Sequence, residues 1–109
     1  MRGHGELQWK SKGIPVHISD TEAVDRVITA AKKVLGPDSV HIRSNPSMGS
    51  EDFSVLHPAY GPGCQFNIGT ANDDPRTRLG IHNPENIFDE RCLPYGTAVL
   101  VQFARDFLV

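Results

Sequence analysis

A chain of 109 residues, with 39% hydrophobic and 22% charged side chains, has the makeup of an ordinary globular protein of one domain or less. Eleven Lys and Arg against thirteen Asp and Glu leave a net charge of −2 without the clustered basic surface that phosphate backbones require, so no nucleic acid is expected as a partner. No apolar run approaches the roughly 18–20 residues of a bilayer span, and none near the amino terminus resembles a signal peptide, which makes the cytosol the expected compartment and excludes a membrane-spanning helix as an expectation.

Glu6 to Lys10 alternates polar and apolar residues, the pattern of a strand with one buried face, and Gly13 and Pro15 interrupt it. A helix is expected over 20–35. Ser19 and Glu22 have capping-box spacing, and Val24, Val27, Ile28, Ala31, Val34 and Leu35 form one apolar stripe opposite Asp25, Arg26, Lys32 and Lys33. Gly36 supplies a left-handed end and Pro37 prevents continuation. Ser39 to Arg43 alternates again and reads as a second strand. After the turn-rich stretch Asn45 to Ser50, Ser50 is placed to cap a short helix through Leu56 that Pro58 stops.

Gly61-Pro62-Gly63 turns the chain into Cys64 to Ile68, a third expected strand. Gly69 to Glu90 is a long aperiodic stretch, and such loops inside compact domains are commonly functional. Leu93 to Val109 reads as a helix with Pro94 in its first turn, and Val99, Leu100, Val101, Phe103, Phe107 and Leu108 leave it little polar surface. Strands alternating with helices imply an α/β layered architecture with a thin sheet. Cys64 and Cys92 lie far apart, form no CxxC pair, and are expected to be reduced thiols.

Five histidines are present, and no HxxxH or HExxH pair writes a metal site locally. His4, His17, His41 and His57 read as surface or satisfied polar residues. His82 stands in Gly80-Ile81-His82-Asn83-Pro84, in the long loop before the last helix, where one imidazole is able to complete a site whose other ligands come from elsewhere. Pro46 to Ser54 has two readings: a capped helix start with its acids answering the dipole, or a loop whose Gly49, Ser50 and Glu51 line a cleft. Ser50 is not in a GxSxG elbow, which argues against a nucleophilic serine.

Met48-Gly49-Ser50-Glu51-Asp52-Phe53-Ser54, Pro62-Gly63, Phe66 to Thr70, His82-Asn83-Pro84, Phe88-Asp89-Glu90 and Leu93 to Gly96 occur in an order and spacing that resemble the metallo-aminoacylase and carboxypeptidase superfamily. The branch of hippurate hydrolases and indoleacetyl-amino-acid amidohydrolases is the one most similar, over roughly residues 6–109. The GSEDF string and the HNP loop are specific as a pair.

The resemblance implies that residues 1–18 are the end of a lid-domain strand and residues 19–109 the returning part of the catalytic domain. It further implies one or two divalent ions, zinc or manganese, with His82 as the one residue here that matches a ligand. Gly49, Ser50 and Glu51 match a loop lining the substrate cleft. Nothing in the chain matches the general base or the bridging carboxylate, so no catalytic residue is assigned.

By that likeness the chain is a fragment of an amidohydrolase that cleaves N-acyl amino acids or small peptides, inactive alone and not expected to hold the ion by itself. Its expected partner is the amino-terminal half of the catalytic domain or a second copy. The competing expectation is a non-catalytic interaction or oligomerisation domain. A standalone protein binding metal through several histidines has no supporting pair spacing.

Overall fold

A computed structural model describes residues 3–108. Met1 and Arg2, at the start of the expected 1–18 segment, and Val109, the expected end of the last helix, lie outside them. The described residues form three α-helices, α1 (Thr21–Leu35), α2 (Phe53–Tyr60) and α3 (Cys92–Leu108), with short 3-10 turns at Pro37–Ser39 and Pro75–Arg78. No helix among the described residues is long and apolar enough to cross a membrane.

Helix α1 matches the expected stripe, but its start differs from the expected capping box. Asp20 is the N-cap, its carboxylate accepting the Ala23 N–H at 2.9 Å. Ser19 Oγ lies instead 3.1 Å from His17 Nε2, and Glu22 pairs with Arg26 at 2.6 Å along the helix. Serine and aspartate cap comparably well, and with the Ser19 hydroxyl beside His17 the aspartate takes the position. Gly36 closes α1 at φ +95°, and its N–H donates to Lys32 O.

Helix α2 begins at Phe53, where Ser54 and Val55 donate to the carbonyls of Glu51 and Asp52, and it does not stop at Pro58. The proline lies inside the helix and forfeits one backbone hydrogen bond. The helix runs two residues further, to Tyr60, and is closed by Gly61, φ +105°, whose N–H donates to His57 O. Helix α3 holds Pro94 in its first turn, where a missing N–H costs nothing.

The expected α/β sheet is not formed. Among the described residues every regular element is helical, and the three segments expected as strands (6–10, 39–43 and 64–68) carry no ladder. Alternation in sequence specifies two unlike faces. A strand also needs a neighbouring backbone that pairs with its N–H and C=O groups, and no such pairing is made by these segments among the described residues. Residues 39–43 and 64–69 instead flank a groove of about 810 Å³, with the apolar stripe of α1 and Tyr95, Ala98 and Val99 of α3.

The core is small. Among the described residues Ala23 and Ala30 of α1 and Val99 of α3 are the buried apolar ones, while Trp9, Ile42, Met48, Tyr60 and Ile81 are all at least 80% exposed. Helices α1 and α3 pack together, with Lys33 Nζ 2.7 Å from Asp106 Oδ2 and the Arg26 guanidinium 5.6 Å from the centre of the Phe107 ring. The accessible surface of 9694 Å² exceeds by more than half the roughly 6,000 Å² that scaling gives for a compact chain of 12.0 kDa. The radius of gyration, 18.5 Å, likewise exceeds the roughly 13 Å of a compact 109-residue chain.

Candidate functional site

His82 occupies the tip of a turn that the backbone itself fixes. Asn83 N–H donates to Gly80 O at 2.8 Å, which places Ile81 and His82 at the two central positions. A second turn follows at once: Asn83 Oδ1 accepts Glu85 N–H at 2.9 Å, and Asn83 O accepts Asn86 N–H at 3.0 Å. The imidazole is exposed, so it is presented outward rather than packed in this chain's core.

The loop that carries the turn is stitched by polar side chains. Thr77, buried, accepts Asn72 N–H at 3.1 Å and donates to Asp74 O at 2.6 Å. Asn72 Oδ1 accepts Asp74 N–H at 2.8 Å, and Asn72 Nδ2 donates to Asp89 Oδ2 at 3.2 Å. Asp89 N–H donates to Thr70 O at 2.9 Å, so both ends of the loop meet just before α3. The Asp89 carboxyl is held far below the usual carboxylate range, chiefly by the Arg91 guanidinium and also by the Arg91 N–H and the Asn72 amide. Asp74 is lowered for a related reason, the Arg76 side chain and N–H that it accepts.

The second expected site segment is less constrained. Gly49 N–H donates to Ser47 Oγ at 3.2 Å, and Gly49 and Ser50 are exposed. A Cβ at Gly49 would meet only Ser47 Oγ at 3.5 Å, an ordinary contact, so nothing in this chain crowds that glycine. Glu51 is half-buried. Its carboxylate accepts from Gln65 Nε2 at 3.2 Å and Phe53 N–H at 3.4 Å. Hydrogen bonding with the Asp52 side chain, followed by these two donors, holds the Glu51 carboxyl below its ordinary range.

No hydrogen bond among the described residues joins the His82 turn to the Gly49–Glu51 segment. Nor do the described residues gather any group of three or more His, Cys, Asp and Glu able to hold a metal ion. His82 suits one coordination position, being exposed and rigidly carried, but a catalytic ion takes about three protein ligands. The fit to a divalent ion is therefore that of a single ligand.

The structure also brings together two histidines that sequence spacing separates. His17 and His57 meet edge to face with ring centres 5.5 Å apart, and Phe53 lies 5.2 Å from His17. Their positions, forty apart on a linker and on α2, gave no local signal of the pairing. Cys64 and Cys92 are free and half-buried, and burial, with a smaller push from Asp20, raises the Cys64 thiol.

The family described as peptidase family M20/M25/M40 matches residues 4–106. The chain belongs to that family. This M20/M25/M40 chain is 28% identical over 89 residues to a probable hydrolase of Synechocystis, which aligns with 82% of the chain and 22% of the relative. It is 29% identical over 92 residues to a thermostable carboxypeptidase of Saccharolobus solfataricus, over 84% of the chain and again 22% of the relative. The chain thus spans about a fifth of the length of these relatives. No solved structure matches it.

Proposed function

We propose that this chain is the carboxy-terminal part of a metal-dependent amidohydrolase that cleaves the amide bond of N-acyl amino acids, in the hippurate and indoleacetyl-amino-acid hydrolase branch. The match over residues 4–106 to a peptidase family carries the reading, and the names of the two relatives, a hydrolase and a carboxypeptidase, agree with it. The branch rests on the Gly49-Ser50-Glu51-Asp52-Phe53 string and the His82-Asn83-Pro84 loop occurring together.

In this reading His82 gives one imidazole to a divalent ion, zinc or manganese, whose other ligands lie outside these residues. A bound ion of this kind acidifies water and polarises the scissile carbonyl. The chain's own residues then have positioning roles. The Gly80–Asn83 turn aims the ring, and Gly49, Ser50 and Glu51 border the substrate, the Glu51 carboxylate staying ionised because it already accepts donors. With one ligand and no assigned general base, the chain alone is inactive.

The test is reconstitution. Mixing the chain with a separately expressed amino-terminal half of a family member restores zinc-dependent hydrolysis of hippurate, and His82→Ala abolishes it. Activity that survives His82→Ala refutes the metal assignment. Tight stoichiometric zinc binding by the chain alone, read by calorimetry, would equally refute a single-ligand site.

The exposed apolar surface favours one second reading, a non-catalytic interaction domain that uses the groove beside α1. Light scattering separates the two: a strict monomer at high concentration removes self-association, and a concentration-dependent dimer supports it.

A further inference from the structure

We propose that the groove beside α1 is the seat of an extended, apolar segment from the remainder of the amidohydrolase, which docks against this chain and pairs its main chain with residues 40–43 and 64–68. The inference rests on the reading that this chain is one part of such an enzyme, and it names the surface through which the parts meet. Helix α1 uses two faces differently. Ala23, Arg26, Ala30 and Lys33 share the face that meets α3, where Arg26 stands over the Phe107 ring and Lys33 pairs with Asp106. The apolar stripe, Val24, Val27, Ile28 and Ala31 among it, lies on the neighbouring face, only half-buried, and forms the floor of the groove. The stripe that would anchor an amphipathic helix in a core is therefore left open.

The walls decide what kind of occupant fits. Residues 39–43 and 64–69 flank the floor, and among the described residues no hydrogen bond engages the main chain of residues 40–43 or 64–68. Water serves those N–H and C=O groups while the groove is open. Anything that covers the floor strips that water away, and buried main-chain groups are almost always paired. A lipid or other apolar molecule brings no donors and acceptors for them. An extended polypeptide brings both, alternating along its length, with every second side chain turned to the floor.

The amount of uncovered surface bears on whose segment it is. The chain exposes roughly 3,700 Å² more than a compact protein of its mass. Standard complexes bury about 1,200–2,000 Å² over both partners together, and permanent ones about 2,000–5,000 Å². A permanent partner of that size exists in the relatives, of whose length this chain aligns with 22%. A second copy offers no such match, because it presents the same groove, and two concave surfaces do not fill each other.

The experiment mixes the 109-residue chain with the Synechocystis relative shorn of the segment that aligns with it, and follows assembly by light scattering and amide hydrogen exchange. A one-to-one complex is expected, in which the amides of residues 40–43 and 64–68 slow on mixing. Val27→Asp and Ile28→Asp place a charge on the floor and weaken the complex about thirtyfold or more, whereas Thr29→Asp, on the exposed side of α1, leaves it unchanged. Circular dichroism of each variant alone checks that α1 still forms; if an Asp variant loses the helix, the amide protection of the unaltered chain decides. Absence of a complex overturns the inference, as does a complex in which those amides stay fast or the floor variants bind unaltered. Protection of the same amides in the chain alone as its concentration rises overturns it too, since a second copy then fills the groove. A complex that forms but hydrolyses no N-acyl amino acid with His82 in place sinks the proposed function and leaves the docking surface standing, and His82→Ala leaves assembly untouched.

Discussion

The loop over residues 69–91 and the helix pair α1–α3 are completed in opposite ways. The loop satisfies itself: Asn72, Asp74, Thr77 and Asp89 exchange hydrogen bonds over less than twenty residues and leave the buried threonine fully used. The helix pair buries Ala23, Ala30 and Val99 and leaves Leu100, Val101, Phe107 and Leu108 more than half exposed. Directional polar contacts close over short distances in sequence. Apolar burial needs a second body of comparable size, and the three-residue core shows how little of one the described chain provides.

Substitutions that attack each side in turn test the contrast. Val99→Asp is the most damaging, since a carboxylate in the one fully buried large side-chain position costs about 3 kcal/mol or more and should dissolve the α1–α3 pair, visible as lost helical circular dichroism. If the helices persist, they are held by something other than that contact. Thr77→Val keeps the shape but strips the Asn72 N–H of its acceptor, for about 1–3 kcal/mol. Hydrogen exchange at Asn72 should quicken while α1 and α3 keep their protection, and quickening in both would mean the two regions are not independent.

Acid acts on the loop in the same sense. The folded Asp89 carboxyl titrates below its unfolded value, so its contribution is complete above the ordinary carboxylate range, about pH 3.9, and is lost as pH falls below it. Loop amides that stay protected from neutral pH to about pH 4 and loosen below it agree with this, and Arg91→Gln should move the loosening upward. Asp20→Ala removes the α1 cap for about 1 kcal/mol, read as fraying of the first turn. Lys33→Met is the mildest, with little change in thermal midpoint, because the Lys33–Asp106 pair is exposed to solvent and screened by salt.

The two long helices were legible from the sequence because their signals are local. The stripe from Val24 to Leu35 with Gly36 after it placed α1 within a residue of its observed start at Thr21, and Pro94 within the first turn of α3 was read correctly. The cap is ambiguous in sequence because Ser19 and Asp20 both satisfy the rule, and the choice depends on His17 standing beside the serine. Pro58 did not stop α2, since a proline removes one bond and a helix with neighbouring bonds intact continues past it. The expected sheet failed for a different reason. Alternation at residues 39–43 and 64–68 says which side is apolar, whereas pairing is a property of two segments at once.

The candidate site was legible to the same extent. His82 stands out by its loop, and it lies exposed on a turn, but no hydrogen bond among the described residues links it to Gly49, Ser50 or Glu51. The Asn72–Asp89 bridge and the His17–His57 pair escaped sequence reading because they join positions seventeen and forty apart, beyond any helical or strand period.

Asn83 has a leverage that its exposure hides. Its amide closes the turn around His82, its side chain begins the next turn at Glu85, and its carbonyl completes that turn at Asn86. The backbone turn that presents the imidazole is thus closed by the residue that follows it. Replacing the Asn83 side chain removes only the bond that opens the second turn at Glu85, because the two main-chain bonds that hold the His82 turn and close the next one survive any substitution but proline.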